Sequence, residues 1–168
     1  MTSASAERIL LSLTAAGVRP AVGGGWAIDA LLGRQTREHG DLDLWLPAED
    51  LEPLLPVAAD LGIDRLLPWG GDRPWVVVLH DGGELRVDLH MYEPLGDGFL
   101  HYGSVLSGHR IPEDALQGRG HIGGLQVTCD SPEWALQCKS GHTPREVDLA
   151  DIPLLCEAFG LEKPATTH

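Results

Sequence analysis

The feature that most constrains this fold is a strictly alternating segment, DLDLWL, at residues 41–46. In a β-strand, successive side chains point to opposite faces, so the leucines share one face while Asp41, Asp43 and Trp45 share the other. A continuous leucine face is buried against a core, and this burial fixes the direction of the acids. The segment therefore predicts a strand of a sheet with one covered face, from which two carboxylates project together.

A second alternating segment, residues 84–90, places Asp88 on a polar face. The turn residues Asp81-Gly82-Gly83 precede it, and the apolar run at residues 75–80 precedes the turn, so the two segments are predicted to form a β-hairpin. If residues 84–90 lie beside residues 41–46, three carboxylates cluster, and such a cluster repels itself unless a hard cation such as Mg²⁺ neutralises it. A solvated strand face can also alternate Asp with Leu without binding metal, so both interpretations stay open.

The glycine pair Gly24-Gly25 lies between a short strand candidate, residues 21–22, and a predicted helix at residues 26–32. A glycine backbone at a helix N-terminus can approach a phosphate closely and offer it free N–H groups. The polar loop before the first alternating strand adds possible phosphate contacts, namely Arg34, Arg37 and His39.

The remaining pattern predicts further helices at residues 5–17 and 48–61, the second one shortened by its prolines, and a strand at residues 125–129. Late helices are expected to begin at the Ser131 cap and at the Thr143-Pro144-Arg145-Glu146 capping box. Residues 94–124 give no clear pattern. The expected fold class is α/β (α+β), a mixed β-sheet with flanking helices in a single domain over residues 1–168.

Composition narrows the function classes. With 25 acidic and 12 basic residues the formal charge is −13, which argues against a nucleic-acid partner because phosphate backbones require Lys and Arg. No apolar run approaches the roughly 20 residues that span a membrane, and no secretion signal is recognisable, so we expect no membrane partner. The three cysteines are expected to be buried, reduced thiols, as in a cytoplasmic protein. Cys138 and His142 could share a metal only on a continuous helix, which Gly141 disfavours.

The run GGWAIDALLGRQTREHGDLDLWL closely resembles the aminoglycoside and lincosamide nucleotidyltransferases of the nucleotidyltransferase superfamily. That superfamily has a GG or GS turn, a helix, D-x-D on a strand and a third acid on a later strand. Here these places are filled by Gly24, Gly25, Asp41, Asp43 and Asp88. The segments VTCDSPEWALQ and HTPREVDLADIPLLCEAFG are also similar, so the resemblance covers most of the chain and implies the nucleotidyltransferase fold.

The resemblance implies a Mg²⁺-dependent enzyme that transfers a nucleoside monophosphate from a nucleoside triphosphate to a hydroxyl of a small cationic antibiotic. The expected donor is ATP, and the expected transferred group is AMP. In this interpretation Mg²⁺ is held by Asp41, Asp43 and Asp88. Asp88 is also the candidate general base, and the alternative is that it is a metal ligand only. The nucleotide is bound by Gly24, Gly25, Arg34, Arg37 and His39.

Three points stay open in the sequence. Lys139 and Arg145 could reach the triphosphate or could be ordinary helix-end cations. Trp45 could stack on a base or sugar or could be a core residue. The alternative functions are modification of a protein or RNA partner, and a non-catalytic, antitoxin-like binding module.

Overall fold

The computed structural model describes residues 1–71, 73 and 75–164. Across these residues, nine strands form one mixed sheet with helices packed on it, as the fold class predicts. The helices are α1 (Ser3–Ala15), α2 (Gly24–Leu32), α3 (Leu51–Asp60), α4 (Pro132–Ser140) and α5 (Glu146–Phe159). No helix in this part of the chain is both long and apolar enough to cross a membrane.

The sheet has the strand order β3-β4-β5-β2-β1-β9-β8. In addition, β6 pairs with β5, and β7 pairs with β6. The strands are β1 (Ala21–Val22), β2 (Leu42–Pro47), β3 (Arg65–Pro68), β4 (Val77–His80), β5 (Arg86–Pro94), β6 (Phe99–Tyr102), β7 (His109–Pro112), β8 (Gly118–Ile122) and β9 (Leu125–Cys129).

The leucine face of β2 is buried as the alternation predicts. Leu42, Leu44 and Leu46 each have no exposed surface and pack in a core that includes residues of α1 and α3. Burial of one such side chain contributes about 1.5–3 kcal/mol. This core therefore fixes the orientation of β2 and, with it, the direction in which Asp41 and Asp43 project.

Strands β2 and β5 are parallel neighbours, which confirms the adjacency that would bring the third acid to the first two. Their register aligns Asp43 with Asp88 and Leu44 with Leu89. The hairpin is also present, because β4 pairs antiparallel with β5 and aligns His80 with Arg86. The two alternating segments therefore share one core face and one acidic face.

Several element bounds differ from those expected. Helix α2 begins at Gly24, two residues early, so the glycine pair forms its first turn. Residues 94–124 contain β6, β7 and β8, whose short polar segments lack a readable alternation. Helix α5 is capped by Arg145 and Asp148, not by Thr143 and Glu146.

The cysteines are free, as expected, and Cys129 and Cys156 are buried. The expectation of burial is wrong for Cys138, which is exposed on α4. Helix α4 ends at Ser140, so Cys138 and His142 do not share a helix face.

Candidate active site

A cavity of about 360 Å³ opens beside the acidic face of β2 and β5. Its volume lies within the range of small-molecule sites, about 300–1,000 Å³. The sequence-predicted residues that line it are Gly24, Gly25, Arg37, His39, Asp41, Asp43 and Asp88. Arg34 is exposed on the loop after α2 and is not among the lining residues. Seven of the eight predicted positions therefore meet at one cavity.

Gly24 is required by the position of Asp43. Its φ of +60° lies in the left-handed region, and a Cβ atom there would meet the Oδ2 atom of Asp43 at 1.9 Å. The D-x-D strand and the glycine turn are thus in direct contact, and only a residue without a side chain allows it.

Gly25 has a similar role for the loop before β2. A Cβ atom at Gly25 would meet His39 Nδ1 at 2.5 Å and Arg37 Nη2 at 2.6 Å. His39 is itself fixed, because its Nε2–H donates to the buried carboxylate of Asp29 and its Nδ1 accepts from Arg37 at 3.0 Å. The side chains of Arg37 and His39 therefore both lie against the first turn of α2.

The three acids differ in their electrostatic surroundings. Burial and then the charges of Asp43 and Asp88 raise the pKa of Asp41 above its ordinary value. Burial would also raise the pKa of Asp43, but the hydrogen bond donated by His90 opposes this, and the pKa of Asp43 is lowered. The acids therefore repel one another, and that repulsion favours binding of a cation.

Asp88 has a partner that the sequence pattern did not reveal. Arg86, two residues earlier on β5, donates to both carboxylate oxygens of Asp88 at 2.7 Å and lies 3.9 Å from Asp41. Its guanidinium also lies over the ring of Trp69, with 4.7 Å to the centroid. Arg86 thus forms a two-point ion pair with Asp88 on the acidic face.

The donor set fits Mg²⁺ in its chemistry. Carboxylate oxygens are the ligands this ion prefers, and the charges of Asp43 and Asp88 contribute, after burial, to the raised pKa of Asp41. In the described part of the chain, however, no three Asp, Glu, His or Cys side chains are already arranged around one metal position. Mg²⁺ is usually held by one or two carboxylates together with water and substrate phosphates, so a group of three protein ligands is not required for it.

An aromatic group extends the cavity beyond the acids. Trp45 packs against His90 with 4.7 Å between ring centroids, and against Tyr102 at the same distance. His90 links this group to the acids, because its Nε2–H donates to Asp43 at 2.9 Å while its Nδ1 accepts from the Tyr102 hydroxyl at 2.7 Å. Burial raises the pKa of Tyr102 to about 12, so it stays protonated and can donate. Trp45 is both a packed residue and a cavity residue.

Three further residues that line the cavity have ionisable side chains. Lys139 on α4 and Arg145 before α5 both line the cavity, so their side chains are available to a ligand. Asp130, after β9, also lines it and is 2% exposed. Burial and the charge of Asp43 raise the pKa of Asp130 well above its ordinary value, which favours the neutral acid. No local pattern in the sequence distinguishes Asp130 or Tyr102, since only the packing of distant strands brings them here.

Known proteins resemble this chain in sequence. A lincosamide resistance protein from Staphylococcus haemolyticus is 27% identical over 129 residues, which cover 77% of this chain and 78% of that protein. A 2''-aminoglycoside nucleotidyltransferase from Escherichia coli is 54% identical over 41 residues, which cover 24% of this chain and 23% of that protein.

Solved structures share the fold. The crystal structure of ANT(2'')-Ia in complex with adenylyl-2''-tobramycin superposes with a TM-score of 0.72 at 24% identity, covering 94% of this chain and 89% of that one. The lincomycin-bound structure of the lincosamide adenylyltransferase LnuA gives 0.71 at 22% identity, covering 87% and 90%. A family model described as aminoglycoside-2''-adenylyltransferase matches residues 6–155. Because this match spans most of the sequence, the chain belongs to the aminoglycoside-2''-adenylyltransferase family and is a nucleotidyltransferase enzyme.

Proposed function

We propose that this enzyme transfers AMP from ATP to a hydroxyl group of a small cationic antibiotic, an aminoglycoside or a lincosamide, and releases pyrophosphate. The observation that carries the proposal is the mixed lining of one cavity. Carboxylates from β2 and β5 and cations from three other segments surround the same space. A triphosphate requires cationic groups, whereas a cationic acceptor is attracted by carboxylates and aromatic faces.

The nucleotide side of the cavity is proposed to consist of the first turn of α2 and the cations near it. Gly24 and Gly25 would offer backbone N–H groups to the phosphates, as helix N-termini do for anions. Arg37, His39 and Lys139 line the same space and would stabilise the negative charge that develops on the departing pyrophosphate. Arg34 is left out of this set because it does not reach the cavity.

The acids are proposed to hold Mg²⁺ and to move the proton. Asp41 and Asp43, with Asp88, would hold the metal, which supplies neutralisation of the triphosphate charge when bound. The acceptor oxygen attacks the α-phosphorus while the bond from that phosphorus to the bridging oxygen of the β-phosphate breaks. Asp88 accepts the hydroxyl proton. His90 holds Asp43 in place through its hydrogen bond.

The acceptor is proposed to bind near the aromatic group. Trp45, Trp69 and Trp134 line the cavity together with the acids. Protonated amines bind to carboxylates and to the faces of Trp rings, so this combination favours an amine-bearing acceptor. The net charge of −13 would attract such an acceptor at low ionic strength.

The test is incubation with ATP, MgCl₂ and a panel of aminoglycosides and lincosamides, with pyrophosphate release and the mass of the acceptor as readouts. We expect release coupled to the mass of one added AMP. Omission of MgCl₂, and the variant Asp43→Asn, serve as controls that should abolish both signals. Absence of release with every acceptor, together with absence of Mg²⁺-dependent nucleotide binding, would instead support a non-catalytic binding module.

A further inference from the structure

Helix α5 carries two aspartates that lie outside the cavity but contact its cations. Asp148 and Asp151 are three residues apart, which places them on one face of the helix, and they are 0% and 1% exposed. A buried carboxylate is costly unless it is paired and hydrogen-bonded. The role of Asp148 and Asp151 therefore depends on the cations with which they pair.

Each aspartate binds two cations. Lys139 Nζ lies 3.2 Å from Asp148 Oδ1 and 3.2 Å from Asp151 Oδ2, so this lysine bridges the two. Arg145 donates to both oxygens of Asp148, at 2.9 and 3.1 Å. Arg37 donates to both oxygens of Asp151, at 3.2 and 3.0 Å.

The three cations line the cavity, whereas the two aspartates do not. Three positive charges against two negative ones leave a formal surplus of one positive charge within this cluster. The lysine side chain is only 8% exposed, so without its carboxylates it would be a buried, unpaired ammonium. The guanidinium groups are held in two-point contacts, which fix orientation as well as position.

We propose that Asp148 and Asp151 are positioning residues for the polyphosphate arm of the nucleotide. They hold Lys139, Arg145 and Arg37 at the cavity surface and do not touch the nucleotide themselves. The inference rests on the proposed use of a nucleoside triphosphate. It adds that affinity for the β- and γ-phosphates depends on two residues of a helix outside the site, and that affinity for the nucleoside and α-phosphate does not.

The experiment compares ligands that differ only in phosphate content. Binding of ATP, AMP and inorganic tripolyphosphate to the full chain is measured by isothermal titration calorimetry, for the wild type and for Asp151→Asn. Loss of the Asp151 charge removes the ion pair of Arg37 and one of the two carboxylates that contact Lys139. We expect Asp151→Asn to weaken ATP and tripolyphosphate by about tenfold, a difference of ~1.4 kcal/mol, and to leave AMP within about twofold.

Two further variants separate positioning from damage. Asp151→Glu keeps the charge and should restore most of the ATP affinity. Asp97→Asn removes an exposed Asp97–Arg110 pair of 2.8 Å outside the cavity, and should change no affinity. If Asp151→Asn does not fold, Asp148→Asn provides the same comparison, because it removes the contacts of Arg145 and half of those of Lys139.

The inference is overturned if Asp151→Asn binds tripolyphosphate as tightly as the wild type, if it weakens AMP as much as ATP, or if the wild type does not bind tripolyphosphate. None of these outcomes requires an acceptor. Failure of the proposed transfer reaction, seen as absence of AMP on every antibiotic, is therefore distinguishable from failure of this inference.

Discussion

Replacement of Gly24 by alanine should separate catalysis from folding. Two effects are expected. A non-glycine residue in the left-handed region costs about 1–2 kcal/mol, which for a chain of this size lowers Tm by about 2–8 °C. In addition, the new Cβ would lie 1.9 Å from Asp43 Oδ2, whereas real Cβ contacts stay beyond 3.0 Å. The Asp43 carboxylate must therefore move by about 1 Å, and a displacement of that size in an active site costs about 10²-fold in rate.

Gly33 provides a matched control for Gly24. Its φ is +67°, close to the +60° of Gly24, but nothing lies within 4 Å of a Cβ atom built there. Gly33→Ala should therefore show the loss of Tm that comes from backbone strain alone, about 2–8 °C, with unchanged kcat for pyrophosphate release. Thermal denaturation and steady-state kinetics of the two variants test this directly. If Gly24→Ala keeps the wild-type kcat, or if both variants lose activity equally, the close approach of Gly24 to Asp43 is not needed for activity.

Two other predictions concern the acids. Asp88→Asn should lower kcat by at least ~10²-fold, which is the usual contribution of a general base. Its affinity for ATP, measured by calorimetry, should stay close to that of the wild type. Near-normal turnover would contradict the role assigned to Asp88. Burial would raise the pKa of Asp148, but its bonds to Arg145 and then Lys139 outweigh this and lower it. Its contribution to stability is therefore complete above about pH 4 and is lost as pH falls further, so Tm measured from pH 5 to 3 should fall more steeply in the wild type than in Asp148→Asn. Equal slopes would show that Asp148 is not held as an anion.

The parts of the site that could be predicted from the sequence depend on local periodicity. Alternation along β2 determines which side chains share a face, and that face is unaffected by how the rest of the chain folds. The same alternation placed Asp88 on one face of its strand, whereas the pairing of β2 with β5 was only a condition in the sequence and is supplied by the structure. The glycine pair was recognisable for the same reason, since the turn is formed by adjacent residues.

The parts that could not be predicted depend on contacts between distant segments. Arg37 and Asp151 are 114 positions apart, and no spacing rule relates a loop residue to the fifth helix. Arg86 lay on the predicted acidic face, yet alternation alone does not tell whether a neighbouring cation pairs with Asp88 or extends into solvent. Tyr102 lies in a region whose strands are too short to show a pattern. In each case the role follows from packing geometry, which periodicity does not encode.

The formal charge of −13 is compatible with the proposed triphosphate site because several acids near the cavity are paired with cations. The acids of β2 and β5 are fixed by the leucine core beneath them, whereas the cations depend on two aspartates of α5. Asp148 and Asp151 are paired with three cations that line the cavity and would otherwise repel one another. These two acids therefore support anion binding. Net charge alone would argue against a nucleotide site. In the proposed function, this pairing lets a strongly acidic chain offer cationic groups to a polyphosphate.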